Sequence, residues 1–235
     1  MMQGNAMASN TSTPQHDGAQ SPTGQSLDGQ SPGKRGLLLV LSGPSGVGKD
    51  TVWRAAAPCL PLVQKAVTCT TRARRPNEVE GVDYFFVSDA EFDRLLREEL
   101  LLEWANVHAH RVGIPVSSVS GRMERGEDVI CIIEVQGARR IRELYPEALL
   151  IFLKPPPGRE ADTLKERIVG RGAADEAEIA RRLQTATWEL GQTDLYDHQI
   201  INDQVERAAD ELCEVVLREK EERQREVADG KQKTG

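Results

Sequence analysis

A glycine-rich loop that ends in lysine is the segment of this sequence best suited to bind phosphate. Residues 43–49 read G-P-S-G-V-G-K and directly follow an apolar run at 36–41. Glycines let backbone N–H groups close around phosphate oxygens, and the start of the next helix adds its dipole. Lys49 would place a cation on the β- and γ-phosphates of a nucleoside triphosphate. The predicted triphosphate site comprises Gly43, Pro44, Ser45, Gly46, Val47, Gly48, Lys49, Asp50 and Thr51.

The residue after this lysine departs from the usual pattern of such loops. A serine or threonine there normally holds Mg²⁺ through its hydroxyl group, whereas this chain has Asp50. A carboxylate is also a hard oxygen ligand of the kind that Mg²⁺ prefers. Our hypothesis is that Asp50 contacts Mg²⁺, directly or through a water molecule.

A basic segment downstream of the loop could hold a second phosphate group. Arg72 and Arg75 stand close together, and Tyr84 follows nine residues after the second arginine. Two guanidinium groups can grip a phosphate dianion, and a phenol adds a neutral donor. The alternative is a solvated basic turn, because runs of charge usually lie on the surface.

Two glutamates stand beside apolar strand patterns. Glu134 follows the apolar run 129–133, at the end of a strand where ligands bind in open α/β sheets. We therefore interpret Glu134 as a buried, functional carboxylate. Glu103 lies between Leu102 and Trp104 and has the alternative of an exposed strand face.

Strand and helix patterns alternate between the two ends of the chain. Continuous apolar runs at 36–41, 129–133 and 149–153 predict strands buried on both faces, with helical patterns between them. Ser88 and Glu91 form a capping-box pattern that predicts a helix start. The pattern predicts an α/β fold of the P-loop NTPase type, in which helices flank a parallel sheet.

The overall composition excludes several classes of protein. The net charge of -7 argues against wrapping nucleic acid, and no apolar run approaches the length of a membrane span. The four cysteines have no C-x-x-C spacing, so neither a zinc site nor a redox motif is indicated. Residues 1–35 are polar and predict a disordered extension without a secretory signal. We expect a cytoplasmic protein that has no membrane or nucleic-acid partner.

Four downstream segments occur in an order and spacing that resemble the guanylate kinase family. They are T-T-R-A-R-R at 70–75, G-V-D-Y-F-F at 81–86, E-W-A at 103–105 and E-V-Q-G at 134–137. The resemblance spans 36–218 and implies transfer of the γ-phosphoryl group of ATP to GMP and dGMP. The products from GMP would be ADP and GDP, Mg²⁺ would accompany ATP, and the role would be purine nucleotide metabolism and GMP recycling.

The resemblance also implies how the chain is divided. Three segments, 36–66, 119–155 and 191–218, would form the core. A GMP-binding subdomain would span 67–118, a helical lid would span 156–190, and a charged tail at 219–235 should fray.

The resemblance assigns roles to individual residues. The residues implied for GMP binding are Thr68, Arg72, Arg75, Tyr84, Glu103 and Glu134. The two glutamates would accept hydrogen bonds from guanine N1 and the 2-amino group, which adenine cannot supply. The implied catalytic residues are Lys49, Arg75, Arg167, Arg171 and Arg182. Arginines of the lid would close over the transferring phosphate, and residues 201–203 resemble the segment near adenine.

Three further positions lack a polar group that the family pattern has there. Val112 replaces a tyrosine that helps to bind phosphate, and Ile114 replaces a hydroxyl residue that helps to read the base. Each lost hydrogen bond would cost about 1–3 kcal/mol. We suggest that Arg111 supplies a phosphate contact in compensation. Ile132 stands where many family members have a carboxylate.

Two other functions remain as alternatives. One is a related kinase with another acceptor, such as ribose 1,5-bisphosphate, since those kinases share a G-K-D loop. The pair Glu103 and Glu134 argues against it, because a sugar phosphate needs no guanine reader. The other is a non-catalytic binding module. Such modules commonly lack an intact phosphate loop, and this chain keeps Lys49 and the lid arginines.

Overall fold

The computed structural model describes residues 35–107, 110–170 and 176–232. The chain separates into two units, residues 1–30 and 31–235, and every described residue belongs to the second. Apart from Arg35, the predicted disordered extension lies outside the described residues. Among the described residues, no helix is both long and apolar enough to cross a membrane.

A five-stranded parallel sheet forms the centre of the fold and confirms the predicted architecture. Its strands, in spatial order, are β2 (Val63–Lys65), β7 (Asp128–Ile132), β1 (Leu38–Ser42), β8 (Leu149–Lys154) and β9 (His198–Ile201). β1 is buried along its whole length, which explains why its sequence is continuously apolar rather than alternating. The carboxyl end of β1 leads into the phosphate loop.

Helices cover both faces of this sheet. They are α1 (Lys49–Ala56), α3 (Ser117–Glu124), α4 (Val135–Leu144), α5 (Glu160–Gly170), α6 (Glu176–Leu190) and α7 (Val205–Gln232). Leu39 and Leu41 of β1 pack in one apolar cluster with α1 and α7, while Leu38 and Val40 pack in another with α3 and α4. Successive side chains of a strand point to opposite faces, so one apolar run serves both layers.

A second, four-stranded sheet lies within residues 67–118. Its strands, in spatial order, are β4 (Tyr84–Phe86), β3 (Thr68–Thr70), β6 (His110–Pro115) and β5 (Leu101–Val107). Helix α2 (Asp89–Arg97) follows β4, and Ser88 caps it by accepting a hydrogen bond from the Glu91 backbone N–H at 3.1 Å. The predicted helix start is confirmed. The Glu91 carboxylate pairs with Arg94 instead of returning to the cap.

Some elements differ from the sequence-based expectation. Strands β2 and β3 follow each other closely in sequence, yet they belong to different sheets. Strand β6 and helix α3 were not predicted. The β6 sequence H-R-V-G-I-P contains glycine and proline, which weaken a strand signal. Pairing with β5 over most of its length makes this segment a strand.

Helix α7 continues well beyond the point where we expected the chain to fray. It ends at Gln232, and two contacts attach its final part to the sheet layer. Lys220 Nζ lies 2.6 Å from Asp128 Oδ2, and the Arg223 guanidinium bonds to the Glu147 carbonyl. Asp128 also accepts a hydrogen bond from the Leu37 N–H at 2.8 Å, so it anchors β1 as well.

A disulfide joins Cys59, in the short 3₁₀ turn after α1, to Cys213 of α7. The two cysteines are 154 residues apart, so their spacing gave no sign of the pairing. Cys69 and Cys131 are free and buried. The link connects the turn that follows α1 to the last helix of the described fold.

Reducing this disulfide should destabilise the protein. A cross-link across so long a loop restricts the unfolded chain, and its loss typically costs about 2–5 kcal/mol of unfolding free energy. We expect a lower melting temperature in dithiothreitol, measured by differential scanning fluorimetry. A Cys59→Ser variant should melt at the lower temperature with or without reductant. Coincident melting curves for the oxidised and reduced wild type would contradict the expectation.

Candidate active site

The phosphate loop connects β1 to α1 and requires glycine at defined positions. Gly43 has a φ of 143°, and a Cβ there would lie 2.2 Å from the Leu153 carbonyl oxygen. Gly48 has a φ of 102°, and a Cβ there would lie 2.7 Å from Asn202 Nδ2. Larger residues rarely adopt these conformations and would collide with their neighbours. The glycines of the sequence pattern are therefore required by both backbone geometry and close packing.

Lys49 lies at the junction between the phosphate loop and the predicted base-reading site. Its Nζ donates to the Gly43 carbonyl at 2.6 Å and forms a 3.1 Å ion pair with Glu134 Oε1. The lysine side chain is 10% exposed. One cation thus contacts both the loop that would hold a triphosphate and a carboxylate predicted to read a base.

The two predicted base-reading carboxylates are both partly exposed, which differs from what we expected for each of them. Glu134 ends β7 and its side chain is 47% exposed, so the prediction that it is buried was wrong. Glu103 of β5 is partly buried, because Gly137 lies against its carboxyl group, so the exposed-face alternative for it was wrong as well. Among the described residues, the Glu103 carboxyl group has no hydrogen-bond partner. A partly buried carboxyl group that makes no hydrogen bond within the protein is a candidate for binding a ligand.

The surroundings of Glu103 favour its neutral form. Burial and, to a lesser extent, the nearby Glu134 raise its pKa to about 8, while Lys49 partly opposes both effects. Ile114 of β6 is the register partner of Glu103 and is 1% exposed. The isoleucine that replaces a hydroxyl residue therefore adds apolar surface beside this carboxyl group.

A third carboxyl group, Glu189, was missed by sequence reasoning. It is the penultimate residue of α6 and is 1% exposed. Its Oε2 accepts a hydrogen bond from the Ser45 backbone N–H of the phosphate loop at 3.3 Å. Burial and the neighbouring Glu134 raise its pKa to about 8. A glutamate near the end of a charged helix gives no sequence signal that separates it from solvated neighbours.

The predicted phosphate-holding residues Arg72 and Tyr84 lie together, and an unpredicted residue organises them. The Glu78 carboxylate accepts two hydrogen bonds from the Arg72 guanidinium, at 2.7 and 3.0 Å. It also accepts one from the Arg75 backbone N–H at 2.9 Å. The same guanidinium lies over the Tyr84 ring, 5.4 Å from its centroid. Thr68 is the register partner of Tyr84. Arg72 is 19% exposed, which argues against a solvated basic turn, whereas Arg75 is exposed.

The suggested compensating contact by Arg111 was wrong. Its guanidinium pairs with Asp93 at 2.6 Å and Asp89 at 2.8 Å, both on α2. It also lies 4.7 Å from the centroid of the Phe92 ring. These contacts direct the side chain onto α2, so Arg111 stabilises the packing of α2 on the second sheet.

The predicted lid residues lie partly within the described structure. Arg167 of α5 donates to the carbonyls of Val47, at 2.7 Å, and Asn202, at 3.0 Å. Asn202 Nδ2 also donates to the Val47 carbonyl, and its buried Oδ1 has no partner among the described residues. Arg182 is partly buried on α6, and Arg171 lies outside the described residues. Arg167 thus brings α5, the phosphate loop and residue 202 together.

The candidate magnesium ligand lies at the start of α1. Asp50 is 57% exposed and pairs with Lys65 at 2.9 Å. No group of three or more His, Cys, Asp or Glu side chains suited to a metal occurs among the described residues. Mg²⁺ usually binds through one or two carboxylates together with substrate phosphates. One accessible carboxylate beside a phosphate loop fits that requirement.

Comparison with known proteins agrees with this arrangement. Residues 35–219 match the model of the guanylate kinase family. A guanylate kinase from Rubrobacter xylanophilus is 43% identical over 79% of this chain and 95% of its own length. One from Bacillus subtilis is 44% identical over 82% of this chain and 93% of its own.

A solved structure supports the same relationship. The crystal structure of guanylate kinase from Anaplasma phagocytophilum has a TM-score of 0.59 and 30% identity, over 79% of this chain and 87% of its own. The match over most of the chain, in sequence and in fold, establishes that this protein belongs to the guanylate kinase family.

Proposed function

We propose that this protein transfers the γ-phosphoryl group of ATP to GMP, giving ADP and GDP for purine nucleotide metabolism. The observation that best supports this is the ion pair between Lys49 and Glu134, beside the partly buried carboxyl group of Glu103. Through it, a cation suited to a triphosphate pairs with one of the two carboxyl groups suited to guanine. Neither alternative function accounts for that pair of carboxyl groups.

The acceptor side would work by orientation and charge. Glu103 and Glu134 would accept hydrogen bonds from guanine N1–H and the 2-amino group. Arg72, held by Glu78, and the exposed Arg75 would bind the GMP phosphate together with Tyr84 and Thr68. No general base is needed, because the acceptor phosphate is already anionic. These contacts would hold the attacking oxygen in line with the γ-phosphate.

The donor side would stabilise the charge of the transferring group. Lys49 and the backbone N–H groups of the loop would bind the ATP phosphates. Arg167 already contacts the loop, and we propose that Arg171 and Arg182 join it when the lid closes. Closure would exclude water, which otherwise competes with GMP for the phosphoryl group.

Asp50 is the residue that we propose holds Mg²⁺, which when bound neutralises charge on the ATP phosphates. We expect Asp50→Asn to raise the Mg²⁺ concentration needed for half-maximal activity several-fold, since a neutral amide binds Mg²⁺ less strongly than a carboxylate. The measurement is an Mg²⁺ titration at saturating ATP and GMP. An unchanged Mg²⁺ dependence would remove Asp50 from this role.

GMP binding should strengthen as the pH rises. The ionised form of Glu103 is the better acceptor for guanine, and burial holds its pKa at about 8. From pH 7 to pH 8.5 the ionised fraction of a group with a pKa of 8 rises about eightfold. We expect KM for GMP to fall by a similar factor over that range, measured at saturating ATP. A KM for GMP that is flat, or that rises, would show that Glu103 is not the titrating acceptor.

A panel of acceptors tests the proposed function against its alternatives. The panel contains GMP, dGMP, AMP, CMP, UMP and ribose 1,5-bisphosphate, with ADP production from ATP and Mg²⁺ as the readout. We expect rapid turnover with GMP and dGMP. Turnover with the sugar phosphate and not with GMP would favour the related kinase. No turnover with any acceptor would favour a binding module. Cytoplasmic location and the absence of a nucleic-acid partner remain predictions.

A further inference from the structure

Gly137 leaves space that the carboxyl group of Glu103 occupies. It is the third residue of α4, which packs against β5. A Cβ built on Gly137 would lie 1.4 Å from Glu103 Oε2 and 2.2 Å from its Cδ. Atoms cannot approach so closely, so any side chain at this position must displace the carboxyl group of Glu103.

The backbone itself does not require glycine at this position. Gly137 is not among the residues with positive φ, and it lies in the regular first part of α4. Alanine is favoured over glycine by about 1 kcal/mol within a helix. A glycine here therefore costs helix stability, and the space needed by Glu103 accounts for it.

We propose that Gly137 is a positioning residue that fixes the carboxyl group of Glu103 for guanine recognition. This inference rests on the proposed function and deepens it. Glu103 has little room to adjust, because the buried Ile114 is its register partner on β6. In addition, the Cβ of Glu103 would lie only 3.1 Å from a Cβ added at Gly137. The displaced part is therefore the end of the side chain, which carries the hydrogen-bonding oxygens.

The effect should be confined to the acceptor nucleotide. Among the described residues, Glu103 forms no hydrogen bond or ion pair with the phosphate loop, whereas Lys49 bonds to Gly43 and to Glu134. Moving the Glu103 carboxyl group would weaken hydrogen bonds to guanine and leave the triphosphate contacts in place. A general packing defect would instead affect both substrates and the stability of the fold.

The test compares Gly137→Ala with a matched glycine in another helix. Gly121 lies in α3, and the nearest atom to a Cβ there is Arg125 Nη1 at 3.8 Å. We expect Gly137→Ala to raise KM for GMP by about tenfold or more, the effect of weakening a charged hydrogen bond. KM for ATP should stay within about twofold of wild type, and Gly121→Ala should change neither value.

A double-mutant cycle shows whether the effect passes through Glu103. In a Glu103→Ala background, Gly137→Ala should have no further effect on KM for GMP, because the displaced group is gone. An equal loss in both backgrounds would overturn the inference, as would a wild-type KM for GMP in Gly137→Ala. If Gly137→Ala alone does not fold, the double variant should fold, and its failure to do so would also overturn the inference.

The same experiment separates this inference from the proposed function. Wild type and Gly121→Ala must turn over GMP if the function is correct, whatever Gly137 does. If neither protein turns over GMP, the proposed function fails. If both do, KM for GMP of Gly137→Ala tests only the positioning of Glu103.

Discussion

Replacing Lys49 by methionine is expected to lower kcat/KM for GMP phosphorylation by about a thousandfold, the scale of losing a preorganised charge at a phosphoryl-transfer site. Methionine keeps most of the side-chain volume and removes the cation. The hydrogen bond to Gly43 and the ion pair with Glu134 would be lost together. Steady-state rates with ATP and GMP provide the measurement.

A matched lysine controls for the general loss of a positive charge. Lys154, at the end of β8, donates to Gln199 Oε1 at 3.1 Å and lies outside the phosphate loop. Lys154→Met should keep rates within about twofold of wild type, as surface changes of this kind usually do. If the two variants lost the same activity, Lys49 would not have the role given to it.

At pH 8.5, where Glu103 is mostly ionised, Glu103→Gln is expected to lower kcat/KM for GMP by about ten- to a hundredfold, because a hydrogen bond to an ionised acceptor is worth about 1.5–3 kcal/mol. The neutral amide is a weaker acceptor, and its N–H₂ group can also face a guanine donor with a donor of its own. The loss should appear with GMP and not in KM for ATP. The pH dependence of KM for GMP should also disappear.

Glu124→Gln is the matched control, since Glu124 is an exposed carboxylate on α3. It should retain wild-type kinetics for both substrates. Turnover of AMP by Glu103→Gln should not fall, because adenine does not use the carboxylate. An unchanged kcat/KM for GMP in Glu103→Gln would show that the base is read elsewhere.

The sequence predicted the central sheet and the phosphate loop well for physical reasons that are local. A strand buried on both faces needs a continuous apolar run, as β1, β7 and β8 have. The loop needs glycines at fixed intervals between a strand and a helix. Both requirements can be recognised from adjacent residues alone, without knowing the tertiary contacts.

The burial of the glutamates could not be predicted in the same way. Glu134 follows a buried strand and its side chain is nevertheless half-exposed, because it lies at the carboxyl end of β7, where the chain leaves the sheet for α4. Glu103 lies between the buried Leu102 and the exposed Trp104 and is nevertheless partly buried, because α4 passes over it at Gly137. Contacts between segments that are distant in sequence determine such environments. The residues adjacent to each glutamate in the sequence therefore did not predict its burial.

Supporting residues were missed for a related reason. Glu78 accepts hydrogen bonds from the guanidinium of Arg72, and Glu189 accepts one from the Ser45 N–H of the phosphate loop. In the sequence, however, each glutamate looks like an ordinary charged surface residue. Cys59 and Cys213 likewise show no local sign of their pairing. Residues that act by fixing other residues become recognisable when the fold brings the partners together.

The most direct test of the proposed function follows the transferred group itself. The protein would be incubated with Mg²⁺, GMP and ATP labelled on the γ-phosphate, and the nucleotides would then be separated. We expect the label to appear in GDP, and to do so far more slowly with the Lys49→Met variant. Label that appeared as inorganic phosphate, or that stayed in ATP while GMP was present, would contradict transfer to GMP.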